Sequence, residues 1–158
     1  MRTFKALIIK RGEDNILTFD YRPIKDDLRE FYDIIECKTI QVIKRRYKGV
    51  DGSLTIICDD EFLLTHDVEE ERILPTSILI NNDKVLEEIF GNLIICRDTP
   101  NGEDFDDLDL IDALRIKATK KHYLINFKGV EISQEFRALT HNIYWLFDRL
   151  HKLHNTLL

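Results

Sequence analysis

The apolar runs of this chain are short, rich in Ile, Leu and Val, and closed by turn-forming residues. Ala6-Leu7-Ile8-Ile9 stops at Arg11-Gly12-Glu13-Asp14-Asn15, while Leu54-Thr55-Ile56-Ile57-Cys58 and Leu93-Ile94-Ile95-Cys96 end in charged residues. Runs of this length and composition suit buried strands and are too short to cross a bilayer as helices. Ile16-Leu17-Thr18-Phe19-Asp20-Tyr21 continues the β-favouring pattern, so it is expected to pair with the first run as a hairpin. Thr39 to Ile43 and Ser53 to Cys58 read as two further strands around Asp51-Gly52, a strong turn signal. Ile78-Leu79-Ile80 precedes a turn at Asn81-Asn82-Asp83, and Tyr123-Leu124-Ile125-Asn126-Phe127 is strand-like.

Helical periodicity enters between these runs. Pro23 and Asp26-Asp27 introduce a helix whose apolar face is Leu28, Phe31, Ile34 and Ile35. Val85, Leu86 and Ile89 suggest a short helical or irregular segment, broken by Gly91. In Asp104 to Asp112, Phe105, Leu108 and Ile111 recur at helical spacing, whereas Leu114 to Ala118 fits either period. Ser133 can cap a helix to about Leu153, with Phe136, Leu139, Ile143, Leu146, Phe147, Leu150, Leu153 and Leu157 on one face. The expected class is α+β, with a mixed or antiparallel sheet, a few helices and a long amphipathic C-terminal helix. Residues 1–118 form the expected core, and 119–158 a strand plus helix packed on that core or on a partner.

With 158 residues, 44% of them hydrophobic and 33% charged, the chain has enough material for one buried core. A net charge of −6 argues against a general nucleic-acid binder and is too mild for a mimic of the DNA backbone. Cys37, Cys58 and Cys96 form no Cys-x-x-Cys pair, and read as reduced thiols, the last two buried in strands. The N-terminal residues lack the pattern of a signal peptide, so the expected location is the cytoplasm.

From Lys5 to about Ile111 the chain resembles the domain-of-unknown-function family 3846. The resemblance is carried by Lys5-Ala6-Leu7-Ile8-Ile9, Ile56-Ile57-Cys58-Asp59-Asp60, Leu74-Pro75, Gly91-Asn92-Leu93-Ile94-Ile95-Cys96-Arg97 and Glu103-Asp104-Phe105-x-x-Leu108. Ser77 stands where members of the family frequently have Asn. The resemblance implies an α+β fold and a phage, plasmid or other mobile-element setting. It implies no catalytic residues.

Several constellations bear on chemistry. The carboxylates from Glu103 to Asp112 lack the order of an EF-hand loop and suit a helix N-terminus. His141, His151 and His154, with Asp148, lack the spacing of a zinc motif and read as surface residues. Asp59-Asp60-Glu61 follows a strand, where acid–base groups often sit, but a solvated loop carries the same residues. Lys44-Arg45-Arg46-Tyr47 is the candidate anion site, since guanidinium and ammonium groups beside a tyrosine can grip a phosphate or stack a base. Tyr144, Trp145 and His151 lie off the apolar stripe and are the candidate partner surface, possible self-association included.

The expected function is therefore non-enzymatic: a mobile-element protein that binds a host protein or a small anionic ligand. No cofactor, metal or catalytic residue is assigned. One alternative is a metal-dependent hydrolase or nuclease, which requires Asp59, Asp60, Asp104 and Asp107 to converge. The other is a structural accessory domain.

Overall fold

The structure is a computed structural model describing residues 2–47, 50–81 and 84–118. The strand expected at 123–127 and the helix from Ser133 lie outside the described residues, as does the division at residue 119. Among the described residues eight strands form around the apolar runs: β1 (Thr3–Arg11), β2 (Leu17–Lys25), β3 (Ile40–Arg45), β4 (Leu54–Asp59), β5 (Ser77–Asn81), β6 (Lys84–Ile89), β7 (Leu93–Asp98) and β8 (Phe105–Asp106). Helix α1 spans Leu28–Ile35, α2 is the single turn Phe62–Thr65, and α3 covers residues 110–118. The chain is α+β. Among the described residues no helix is long and apolar enough to cross a membrane.

The main sheet has the order β2-β1-β7-β4-β3, with every pairing antiparallel. β1 and β2 form the expected hairpin, longer than the apolar runs, with Arg11 opposite Leu17. Pro23 belongs to β2 rather than to the helix start. That position suits it, because β2 is an edge strand and the missing N–H interrupts no ladder. The helix cap is Asp27, whose side chain accepts from Arg29 N at 3.2 Å. β8 pairs with the end of β7, where Asp98 faces Phe105. Leu108 N then donates to Lys5 O at 2.8 Å, joining this segment to the start of β1.

The segment read as helical or irregular is a correction: residues 84–89 are strand β6, paired with β5. Leu79 lies opposite Glu87 and Ile80 opposite Val85, so Leu86 is the extra residue of a bulge. A bulge breaks the two-residue period, and the broken alternation at 85, 86 and 89 imitates a helical one.

The central strands are apolar on both sides because both faces of the sheet are covered. On one face Phe4, Ala6, Ile8, Ile57, Ile94 and Cys96 pack under α1 through Phe31, Ile34 and Ile35. On the other, Leu7, Ile9, Ile56, Cys58, Leu93 and Ile95 meet Ile89, Leu108 and, from α3, Ala113 and Ile116. Each Leu, Ile or Phe among them contributes about 1.5–3 kcal/mol by leaving water. Residues 112–118, which fit both periods, are helical. Asp109 starts α3 by accepting from Ile111 N at 3.3 Å, so part of the acidic stretch does decorate a helix N-terminus.

Candidate functional site

β1 ends, β4 ends and β7 begins at the same edge of the sheet, since Ile9 pairs with Leu93 and Ile57 with Ile94. A cleft of about 400 Å3 opens there. Its floor is Arg11, Gly12 and Asn92, and its walls are Ile35 and Glu36 from α1, Asp59 from β4, Phe62 and His66 around α2, and Glu71, Arg72 and Ile73 beyond it.

A buried polar network sets the shape of this cleft. Arg11 donates from Nη2 to Pro75 O at 2.6 Å, from Nη1 to Asn15 O at 3.0 Å, and from Nε to Thr76 Oγ1 at 3.3 Å. Asn15 accepts from Leu74 N at 2.8 Å and donates to Arg72 O at 2.8 Å, holding the incoming loop at both ends. Thr76, fully buried, donates to Gly91 O at 2.6 Å. Asn92 accepts from Arg11 N at 3.0 Å, and its amide donates to Glu36 Oε2 at 2.8 Å and towards the carbonyls of Ile34 and Ile35. These two carbonyls end α1 without helical partners, so Asn92 caps the helix from outside.

The backbone is strained around this same cleft. Among the described residues the non-glycine residues with left-handed φ are Asn15, Glu36 and Arg72, at 60°, 61° and 57°, and all three line it. Asn tolerates this region better than Glu or Arg do. Gly91, also in the lining, has φ 84°, and a Cβ there would lie 2.8 Å from Phe62 Cδ2. The absent side chain lets Phe62 settle on the backbone. Phe62 then stacks on His66 with centroids 4.1 Å apart and on Phe90 at 5.9 Å. His66 Nδ1 is 2.8 Å from Thr65 Oγ1 and 3.2 Å from Phe62 O.

The lining is mixed in charge, with four carboxylates (Glu13, Glu36, Asp59, Glu71) against Arg11 and Arg72. Asp59 Oδ1 accepts from Glu61 N at 2.9 Å. Burial, and then the charge of Asp59, push the thiol of nearby Cys37 up to about 11. Burial likewise pushes the Cys58 thiol to about 12, helped by Glu87, and that of Cys96 higher still. All three cysteines are free, and the two in strands are buried, as their sequence context implies.

The sequence candidates fall in different places. Lys44 Nζ is 2.6 Å from Asp98 Oδ2, and Arg45 Nε is 2.7 Å from Glu87 Oε2. Tyr47 is turned inward, its hydroxyl 2.7 Å from Ser77 Oγ, and burial pushes its phenol up to about 12. Arg46 is exposed. Asp59 lines the cleft, whereas Asp104 and Asp107 flank β8 at the opposite end of β7. Six residues of strand separate the two ends, roughly 20 Å at about 3.3 Å per residue, so these carboxylates do not converge. No group of three metal-ligating side chains occurs among the described residues. Tyr144, Trp145, His141, His151 and His154 lie outside the described residues.

Sequence reasoning missed Arg11, Asn15, Phe62, His66, Thr76 and Asn92 as site residues. One signal was present: Leu74-Pro75 and Gly91-Asn92, two of the motifs that carry the family resemblance, meet at this cleft. No curated protein and no solved structure matches the chain. The model of the family described as Domain of unknown function (DUF3846) matches residues 4–121, reaching beyond Ile111 through α3, and the chain belongs to that family.

Proposed function

We propose that the chain is a non-enzymatic binding module of mobile-element type, acting in the cytoplasm, that takes a small polar ligand or a side chain of a host protein into the cleft at Arg11, His66 and Asn92. One observation carries this reading. The left-handed Asn15, Glu36 and Arg72, together with Gly91, all line a single cleft. Strain of this kind concentrates at ligand clamps and functional sites, where the surrounding structure must over-determine it. The donors of Arg11 and Asn92 are committed largely to backbone atoms, which suits groups that preform a wall rather than react. The run Lys44-Arg45-Arg46-Tyr47 is less favoured as an anion site, because Lys44 and Arg45 already meet Asp98 and Glu87.

Native mass spectrometry of the full chain recovered gently from a bacterial lysate tests the reading. The expected result is a mass excess that survives native conditions, disappears on denaturation, and is lost in His66→Ala but kept in Arg46→Ala. Retention in His66→Ala with loss in Arg46→Ala would return the site to the basic run. A clean apo mass in a chain that also shows no shift changes with amino acid or nucleotide mixtures by NMR would reject the module reading.

A further inference from the structure

We infer that the cleft at Arg11 and Asn92 takes a cationic side chain, arginine or lysine, presented by a partner protein with apolar residues beside it. The inference rests on this cleft being the binding site, as proposed above, and adds the charge of what enters. It follows from which donors and acceptors the cleft leaves unmatched. The donors are turned into the protein. Arg11 commits its guanidinium to Pro75 O, Asn15 O and Thr76 Oγ1, and the Asn92 amide donates to Glu36 Oε2 and the end of α1. The Asn15 amide donates to Arg72 O, and Gly12 N donates to Ile16 O at 2.8 Å. His66 follows the same rule. Its Nδ1 lies 3.2 Å from Phe62 O, a carbonyl that can only accept, so in the neutral ring Nδ1 carries the proton and Nε2 is an acceptor.

What remains are acceptors. Among the described residues the carboxylates of Glu13 and Glu71 meet no donor, while Asp59 and Glu36 each use one oxygen, towards Glu61 N and the Asn92 amide. Four carboxylates against Arg11 and Arg72 also leave the lining two negative charges in excess. An anion entering would meet like charge and bring acceptors to acceptors. A guanidinium or ammonium group brings donors alone, and its hydrogen bonds to carboxylates are charge-assisted. At about 400 Å3 the cleft suits one long side chain better than a large ligand. The rim favours a protein as its source. Leu63 and Leu64, 60% and 84% exposed, follow Phe62, and Ile16, 53% exposed, follows Asn15. A free amine would leave these side chains in water, whereas a partner with apolar residues beside its cation covers them.

NMR titration of the full chain with capped tripeptides Leu-Arg-Leu, Leu-Gln-Leu and Leu-Glu-Leu, and with capped arginine alone, tests this. The arginine peptide is expected to shift the amides of Gly12, Gly91 and Asn92 saturably. The glutamine peptide should bind at least about tenfold more weakly, because it loses hydrogen bonds to charged groups, and the glutamate peptide should leave these amides unmoved. Asp59→Asn with Glu71→Gln should weaken the arginine peptide by a similar factor. That pair keeps the side-chain oxygen that accepts from Glu61 N, so an unchanged urea midpoint separates lost binding from lost folding. Leu63→Ser with Leu64→Ser should bring the peptide down to the affinity of capped arginine. Shifts at these amides from the glutamate peptide, with the arginine peptide silent, would overturn the inference while leaving the cleft as a binding site. Arginine binding that ignores the carboxylate variant, or capped arginine binding as tightly as the peptide, would overturn it as well. Silence from all four probes would remove the cleft reading along with it.

Discussion

Replacing Gly91 with alanine joins the fold and the cleft in one measurement. An alanine at φ 84° is held in the left-handed region, which costs about 1–2 kcal/mol. Its Cβ would also stand 2.8 and 3.0 Å from two ring carbons of Phe62, closer than the ring can tolerate in place. Phe62 must move, weakening its stacks on His66 and Phe90, each worth about 0.5–1.5 kcal/mol beyond buried area. The expected loss is about 2–3 kcal/mol, or about 5–10 °C in Tm for a chain of this size. Urea unfolding followed by circular dichroism reads it as a lower midpoint with an unchanged slope. Gly12→Ala is the control: its backbone is extended at φ −94° and its nearest neighbour, Ile16 O, is 3.7 Å away, so the change should stay within about 0.5 kcal/mol. In a Phe62→Ala background Gly91→Ala should cost only the backbone part, leaving a coupling of about 1–2 kcal/mol. A Gly91→Ala loss no larger than that of Gly12→Ala would refute the reasoning.

Asn92→Ala leaves Arg11 N and the α1 carbonyls unpaired in a buried site and should cost about 2–4 kcal/mol by urea unfolding; under about 1 kcal/mol would mean that water replaces the side chain. Burial pushes the Asp98 carboxyl up, but hydrogen bonds from Lys44 and Thr55 and the lysine charge outweigh it, and the folded pKa lies below the ordinary value. A depressed folded pKa gives stability that is fully present above the unfolded pKa of about 3.9 and lost as pH falls through the folded one. Urea midpoints should therefore fall on acidification through this range, and less steeply in Lys44→Met. With Cys58 pushed to about 12 and Cys96 higher, a thiol reagent at about pH 8 should titrate at most Cys37 in the native chain and all three cysteines in urea. Fast labelling of Cys96 without denaturant would contradict its place between the sheet and α1.

The parts of the fold legible in the sequence are those dictated by contacts close along the chain. Ala6 to Ile9, Leu54 to Cys58 and Leu93 to Cys96 become central strands because no charged residue breaks their burial on either face, and the one hydroxyl, Thr55, is satisfied by Asp98. α1 is legible for a similar local reason, as Asp27 caps it and Phe31, Ile34 and Ile35 turn inward together. β6 is misread because Leu86 is a bulge residue, and only the pairing with β5 reveals it. The identity of a strand neighbour does not alter the strand's own pattern, so nothing in residues 84–89 announces the partner.

The cleft fails to show in the sequence for a deeper reason of the same kind. Arg11 meets Asn92 across 81 positions, Thr76 across 65 and Pro75 across 64, while Asn15 reaches Leu74 across 59. No spacing rule covers such pairs, since helical and strand periods speak only to neighbours along the chain. The conspicuous features mislead in the opposite sense. Lys44 and Arg45 stand out as a cluster when read in one dimension, yet Asp98 and Glu87 arrive from β7 and β6 to meet their charges. A charge run is informative about binding only after its cross-strand partners are counted. Lone Asn, Thr and Gly residues at strand ends are inconspicuous, yet they are the ones able to satisfy a buried carbonyl, accept left-handed backbone or admit an aromatic ring. At Gly91 and Asn92 the two needs fall on adjacent residues, which is why Gly91→Ala and Asn92→Ala should disturb the same cleft from independent causes: a clash with Phe62 in one and unpaired backbone atoms in the other.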